Sequence, residues 1–290
     1  MSWRTIVVTT RAKLDFKMNY LEVRQGDSFK RILLSELSVL IIESTAVAIT
    51  AYLMCELIKR KITVIFCDER HLPSGILQSL NGSLDSSSKI RKQILWDQQL
   101  KSDIWSLIIS EKIKNQYSVL SKFGFDKESD LLMLYSDQVQ SGDLSNREGF
   151  AAKVYFNCVL GKDLSRRDNA YINMSLNYGY AIILSYIAKE IVSNGCLTQI
   201  GIWHHGGNNN LNFACDLIEP FRPVVDDYVI SSSFNDFGPE EKRTVKNILN
   251  LEFVFEEKKQ YLSNIIALYV KSVIDCLNEG KIELKKTFLI

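Results

Sequence analysis

The residues best equipped for chemistry lie in one stretch, Gly201 to Asp227, which reads GIWHHGGNNNLNFACDLIEPFRPVVDD. It holds His204, His205, Asp216, Glu219, Asp226 and Asp227, including two of the three histidines in the chain. Imidazole nitrogen and carboxylate oxygen at this density suit Mg²⁺, Mn²⁺ or Zn²⁺. With no thiolate partners and no HExxH pair a zinc hydrolase is disfavoured, and a carboxylate-rich set favours the harder ions and metal-dependent phosphoryl transfer. Asp216 and Glu219 stand three apart, so one helical turn presents both on one side, and Pro220 fits a helix ending at Glu219. A plainer reading stays open. Adjacent histidines are often one satisfied and one exposed ring, Gly206-Gly207-Asn-Asn-Asn can be a turn, and acids beside Pro220 and Pro223 can cap or solvate a loop. Gly206-Gly207 lacks the spacing of a phosphate-binding loop.

Polar groups this dense need a scaffold, since burying them is costly. Trp203, Phe213, Leu217 and Phe221 are the apolar anchors expected within the stretch. Upstream, Leu100, Ile104, Leu107 and Ile108 share one helix face, Leu184, Ile187, Ala188 and Ile191 another, and Pro239 opens a further helix. Ser145-Asn-Arg-Glu148 has capping-box spacing before a helix whose Phe150, Ala151, Val154, Tyr155 and Cys158 can face a core. From spacing alone Glu148 is better explained as a cap than as a carboxylate projected for chemistry.

Residues 3 to 70 carry extended-chain signals. Trp3-Arg-Thr-Ile-Val-Val, Tyr20 to Arg24, Phe29 to Leu34, Ser38 to Glu43 and Ile62 to Cys67 predict short strands, with turns at Met18-Asn19 and Gln25-Gly26. Ser44 or Thr45 is placed to cap one helix through Leu57. Between His71 and Ser88 the pattern gives way to a polar, turn-rich connector. An α+β class follows. Residues 1–84 form a small β-rich N-terminal domain with one helix and a short linker, and residues 85–290 a larger all-α C-terminal domain.

The chain has 290 residues, 46% hydrophobic and 24% charged, which places it among globular proteins and excludes disordered or collagen-like classes. Lys+Arg 35 against Asp+Glu 34 leaves +1, so a polyanion surface must be local. Six scattered cysteines without a CxxC pair fit reduced thiols. No basic-then-apolar leader opens the sequence and its long uncharged runs are broken by Asn, Ser, Gly and Tyr, so a cytoplasmic protein without a membrane partner is expected.

At Trp3-Arg-Thr-Ile-Val-Val, Val64-Ile-Phe-Cys-Asp, Ser145-Asn-Arg-Glu-Gly-Phe-Ala-Ala-Lys-Val-Tyr-Phe-Asn, Leu176-Asn-Tyr-Gly-Tyr-Ala, Gly201-Ile-Trp-His and Phe213-Ala-Cys-Asp-Leu-Ile-Glu-Pro-Phe-Arg-Pro-Val-Val-Asp, the sequence resembles a known family. This is the CRISPR-associated adaptation integrase, the universal "Cas one" subunit, of the kind found in type II-A systems. The resemblance implies a divalent metal, Mg²⁺ or Mn²⁺, held by Glu148, His204 and Glu219. His205 is the alternative histidine and Asp216 an outer acid. It also implies an N-terminal dimerisation domain and a helical catalytic domain forming homodimers. Two such dimers flank a dimer of the small "Cas two" protein in a heterohexamer that carries prespacer DNA. The implied reaction is attack of the prespacer 3′-hydroxyl on phosphodiesters of the leader–repeat, with hydrolytic nicking as the same chemistry by water. A branched-DNA repair nuclease and a non-catalytic DNA-holding subunit are the competing functions. Arg147, Lys153, Arg166 and Arg222 are candidate DNA contacts, although an internal ion pair suits any one of them as well, and Arg222 is also placed to order the acid loop. Tyr155, Tyr171, Tyr178 and Tyr180 can stack bases, but their helical spacing also suits a core.

Overall fold

The structure is a computed structural model that describes residues 4–80, 83–161, 171–282 and 288–290. Two four-stranded sheets form the N-terminal part. In the first, β1 (Arg4–Val8), β5 (Leu37–Ile42) and β7 (Thr63–Cys67) run parallel in the order β1-β5-β7, and β8 (Pro73–Leu77) closes the edge antiparallel. The second has the order β4 (Ser28–Leu33), β3 (Tyr20–Gln25), β2 (Ala12–Lys17), β6 (Val47–Ile49). Every residue of β5 is buried, as a strand covered on both faces requires. Its side chains divide between two cores: Leu40 and Ile42 join the small core under the second sheet, while Val39 and Ile41 join the large helical core.

Two local expectations change. Val47-Ala-Ile pairs with β2 as a strand, so the expected helix of this part, α1 (Ala51–Lys59), starts later and is capped by Thr50, whose hydroxyl accepts from Leu53 N, rather than by Ser44 or Thr45. Pro73–Leu77 lies inside the expected connector yet pairs with β7. An edge strand tolerates proline at its first residue and shows little alternation, so the pattern is faint in sequence.

The rest is helical: α2 (Ser86–Ile94), α3 (Gln98–Lys122), α4 (Asp126–Asp137), α5 (Arg147–Val159), α6 (Tyr171–Ser193), α7 (Asn212–Leu217), α8 (Arg222–Ser231), α9 (Pro239–Val245) and α10 (Leu262–Glu279). It is not all-α, because β9 (Glu252–Phe255) and β10 (Lys258–Tyr261) form an antiparallel hairpin leading into α10. Glu256 and Glu257 adopt positive φ there, the tight turn such a hairpin needs. The buried ammonium of Lys246 pairs with Glu43 at the end of β5, joining the helical part to the first sheet. No described helix is long and apolar enough to cross a membrane.

The long helix α3, capped by Asp97, runs through the core and buries Ile104, Trp105, Ile108, Ile113 and Leu120. Beside it α6 crosses α8 at Gly179, where a Cβ would lie 2.5 Å from Val225 Cγ1 and 3.3 Å from Val245 Cγ1. Gly179→Ala therefore overpacks the crossing by roughly 1–3 kcal/mol, against a helix-propensity gain of at most about 1. The expected outcome is a lower urea midpoint; an unchanged one would mean that the helices separate at no cost.

Candidate active site

Helix α5 delivers Glu148. The predicted capping box does not form: Ser145 Oγ is buried without a hydrogen bond, and the N-cap is Asn146, in the left-handed region at φ 52°, accepting from Gly149 N. Asp143 accepts from the next two backbone donors, Arg147 N at 2.8 Å and Glu148 N at 3.0 Å. With those first-turn donors satisfied by Asp143 and Asn146, the Glu148 side chain is released from capping. Its Oε1 instead meets Lys112 Nζ, 2.5 Å away on α3.

Glu219 opens a 3₁₀ turn, Glu219–Phe221, just after α7 ends at Leu217. The turn is pinned from α3, where Asn115 Nδ2 donates to Pro220 O at 2.8 Å. Glu219 Oε1 accepts from Arg222 Nε at 2.8 Å, and Oε2 lies 2.5 Å from Lys112 Nζ, in ionic contact but off the direction of a hydrogen bond. One lysine nitrogen thus bridges both acids, so the bridged oxygens are at most about 5 Å apart. Burial alone would raise the Glu219 carboxyl, but Lys112 and Arg222 overrule it and bring it down to about 2. Burial likewise works against the Lys112 charge, and Glu219 and Glu148 hold it above the usual lysine range.

Asp216 turns away from this pair. Wholly buried, it gathers three consecutive backbone donors: Ile202 N (2.5 Å) and Trp203 N (3.2 Å) on Oδ2, and His204 N (3.0 Å) on Oδ1. Its Oδ1 also meets His204 Nδ1 at 2.6 Å. An ionised carboxylate only accepts, so in the neutral ring Nδ1 carries the proton and Nε2 keeps its lone pair. This hydrogen bond raises the His204 pKa above 6.5, with partial burial opposing it and Glu219 and Glu148 adding to it. Gly201 makes the wrap possible, since a Cβ there would stand 2.6 Å from both Asp216 Oδ2 and His204 O.

Of the six candidates in the stretch, the fold therefore brings Glu219 to Glu148, while Asp216 holds His204 within electrostatic reach of both. Asp226 is buried and accepts from the Tyr180 hydroxyl, and Asp227 pairs with Lys122. His205 is exposed. Phe213, Leu217 and Phe221 anchor the stretch as expected, but Trp203 does not: it is 39% exposed and stacks on buried Trp105, with ring centroids 5.6 Å apart. Tyr155, Tyr178 and Tyr180 are core residues, whereas Tyr171 is exposed. Among the described residues no three His, Cys, Asp or Glu side chains are close enough to hold a metal as they stand.

Of the cationic candidates, Arg222 is tied to Glu219 and lies over the Tyr180 ring at 4.8 Å. Arg147 sits over Tyr135 and Phe150, Lys153 is exposed, and Arg166 lies outside the described residues. Lys112 escaped the sequence reading, although a signal existed. The apolar face Leu100-Ile104-Ile108 continues at a spacing of four into Lys112, which puts a charge where the helix is buried.

A family profile described as "CRISPR associated protein Cas1" matches residues 5–247. The chain belongs to the Cas1 family. It is similar to the CRISPR-associated endonuclease Cas1 of Neisseria meningitidis serogroup C (strain 8013), 33% identical over 230 residues, 79% of this chain and 76% of the relative. Among solved structures, a casposase bound to integration product aligns with TM-score 0.78 and 19% identity, covering 99% of this chain and 94% of the other. A Cas6-RT-Cas1–Cas2 complex aligns with TM-score 0.75 and 17% identity over 98% of this chain and 36% of the larger one. These similarities fit the mixed α+β Cas1 architecture of a β-rich N-terminal region and a helical C-terminal part. The Glu148, His204 and Glu219 motifs all fall inside the matched residues.

Proposed function

We propose that this Cas1 chain is a metal-dependent DNA endonuclease and integrase of CRISPR adaptation, of the type II-A kind, acting in the cytoplasm. The observation that carries the proposal is the convergence of Glu148 and Glu219 on a single cation position beside an imidazole fixed by Asp216. Two carboxylate oxygens within about 5 Å need little contraction to share a Mg²⁺ or Mn²⁺ ion, whose ligands lie about 2.1 Å away, and His204 Nε2 is the proposed third donor. Bound there, the ion would lower the pKa of the attacking hydroxyl and stabilise charge at phosphorus.

The remaining roles belong to the chain. Asp216 sets the His204 tautomer, Arg222 orients Glu219, and Asp143 frees Glu148 from capping. No side-chain nucleophile is required. The prespacer 3′-oxygen bonds to a leader–repeat phosphorus, the bond to the target 3′-oxygen breaks, and that oxygen takes up a proton. Water in place of the prespacer gives a nick. Arg147, Lys153 and Arg222 are the proposed phosphate contacts. A near-zero net charge favours sharing the DNA with partners, a second Cas1 copy and Cas2, in the heterohexamer; fold neighbours that include a casposase bound to integration product and a Cas1–Cas2 complex support DNA and Cas2 as partners.

The test combines the protein, its cognate Cas2, a prespacer, a leader–repeat duplex and Mg²⁺ or Mn²⁺. Strand-joined products that vanish on chelation are expected. Cleavage without joining would replace the integrase with a branched-DNA nuclease, and DNA retention without either would leave a scaffold.

A further inference from the structure

Lys112 stands between two carboxylates. Its side chain is only 9% exposed, and its nitrogen stands 2.5 Å from Glu148 Oε1 and 2.5 Å from Glu219 Oε2. Two ionised carboxylates this close repel, so a cation between them is what allows both to stay charged. The ammonium is the kind of group that can give up such a place: a compact point charge on a flexible four-carbon stem, unlike the planar fork of Arg222, which is held both by Glu219 and by the Tyr180 ring.

We infer that Lys112 is the resident cation of the candidate site, keeping Glu148 and Glu219 assembled without metal and yielding their shared position when a divalent ion arrives. The inference rests on the reading of this site as metal-binding. Lys112 is accordingly a positioning residue that competes with the metal. The formal charges explain what the exchange accomplishes. Glu148, Glu219, Lys112 and Arg222 sum to zero, so the empty site has little pull on a phosphodiester. Adding a divalent ion while both cations stay nearby leaves a net positive site, coupling DNA attraction to loading.

The experiment uses the full chain without DNA, stripped with chelator and titrated with MnCl₂, with free Mn²⁺ followed by electron paramagnetic resonance and melting followed in parallel. Lys112→Met is expected to bind Mn²⁺ at least tenfold more tightly than the wild type. It should also melt several degrees lower in EDTA and recover most of that loss with Mn²⁺. Lys112→Gln serves where the Met variant folds poorly, and Lys112→Arg, which keeps the charge, should bind no more tightly than wild type. A purely structural lysine would lower stability without tightening metal binding. Neutral variants recoverable only with Mn²⁺ would express the same exchange; variants that stay unfolded even with Mn²⁺ would overturn it. Equal or weaker Mn²⁺ affinity in the neutral variants, beside normal binding by wild type, would overturn the inference and spare the metal reading. Absence of Mn²⁺ binding in the wild type and all variants would overturn both.

Discussion

Glu219→Gln should reduce strand joining by about 10³-fold while the protein stays folded. A metal ligand contributes several kcal/mol at the transition state, and each 1.36 kcal/mol is a factor of ten. The amide keeps an oxygen for Arg222 Nε but loses the charge that offsets Lys112 and Arg222. Leaving buried Lys112 with Glu148 alone and half-buried Arg222 without its carboxylate charge costs about 3 kcal/mol, within the margin of an ordinary domain. Circular dichroism melts distinguish that loss from unfolding, and a joining rate within fivefold of wild type would remove Glu219 from the site. The acid limb of stability offers a second check. Glu219 is held at about 2 in the folded protein against 4.5 for the free group, so its contribution is present above about pH 4.5 and is lost as the pH falls through about 2. The variant should therefore show a flatter decline across that window.

Asp216→Asn should cost more stability than Glu219→Gln but less activity. Oδ1 receives His204 N and Nδ1, and Oδ2 receives Ile202 N and Trp203 N. Whichever way the amide is turned, its NH₂ faces at least one backbone donor that it cannot accept from, His204 N on one side or Ile202 N and Trp203 N on the other. The expected cost is about 3–5 kcal/mol of stability. Joining should fall roughly 10–100-fold as the imidazole loses its orientation. His204 itself reports the change. Its pKa is raised chiefly by Asp216, so an NMR titration of the ring should give a lower value in the variant. A raised histidine pKa stabilises the fold fully below 6.5 and loses that effect as pH rises through the folded value. The stability gap between wild type and variant should thus be widest in mild acid and narrow towards alkaline pH. An unshifted His204 titration would show that the ring is held by something other than Asp216.

Much of this was readable along the chain. β-Branched runs marked the strands of the first sheet, Pro239 opened its helix, and the apolar face of α3 followed its spacing. Local rules work there because neighbours within a few residues decide φ, ψ and the buried face. The motifs around Glu148, His204 and Glu219 were also enough to draw the family resemblance. Where local signals competed, the reading failed. Val47-Ala-Ile satisfied helix and strand alike until β2 offered a pairing edge, and Ser145 had ideal capping spacing until Asp143 arrived from the preceding turn with a better-placed carboxylate.

By itself, then, the sequence determined most of the elements, the family and a set of residues able to hold a hard cation. Only the tertiary structure decided which of them meet. Glu148 reaches Glu219 across Lys112, from three separate elements, while Asp226 and Asp227, close to Glu219 in sequence, are claimed by Tyr180 and Lys122. The reason is electrostatic: charges brought out of water must be compensated by whatever opposite charge the fold places within a few ångströms. Periodicity along one segment carries no information about a partner dozens of residues away.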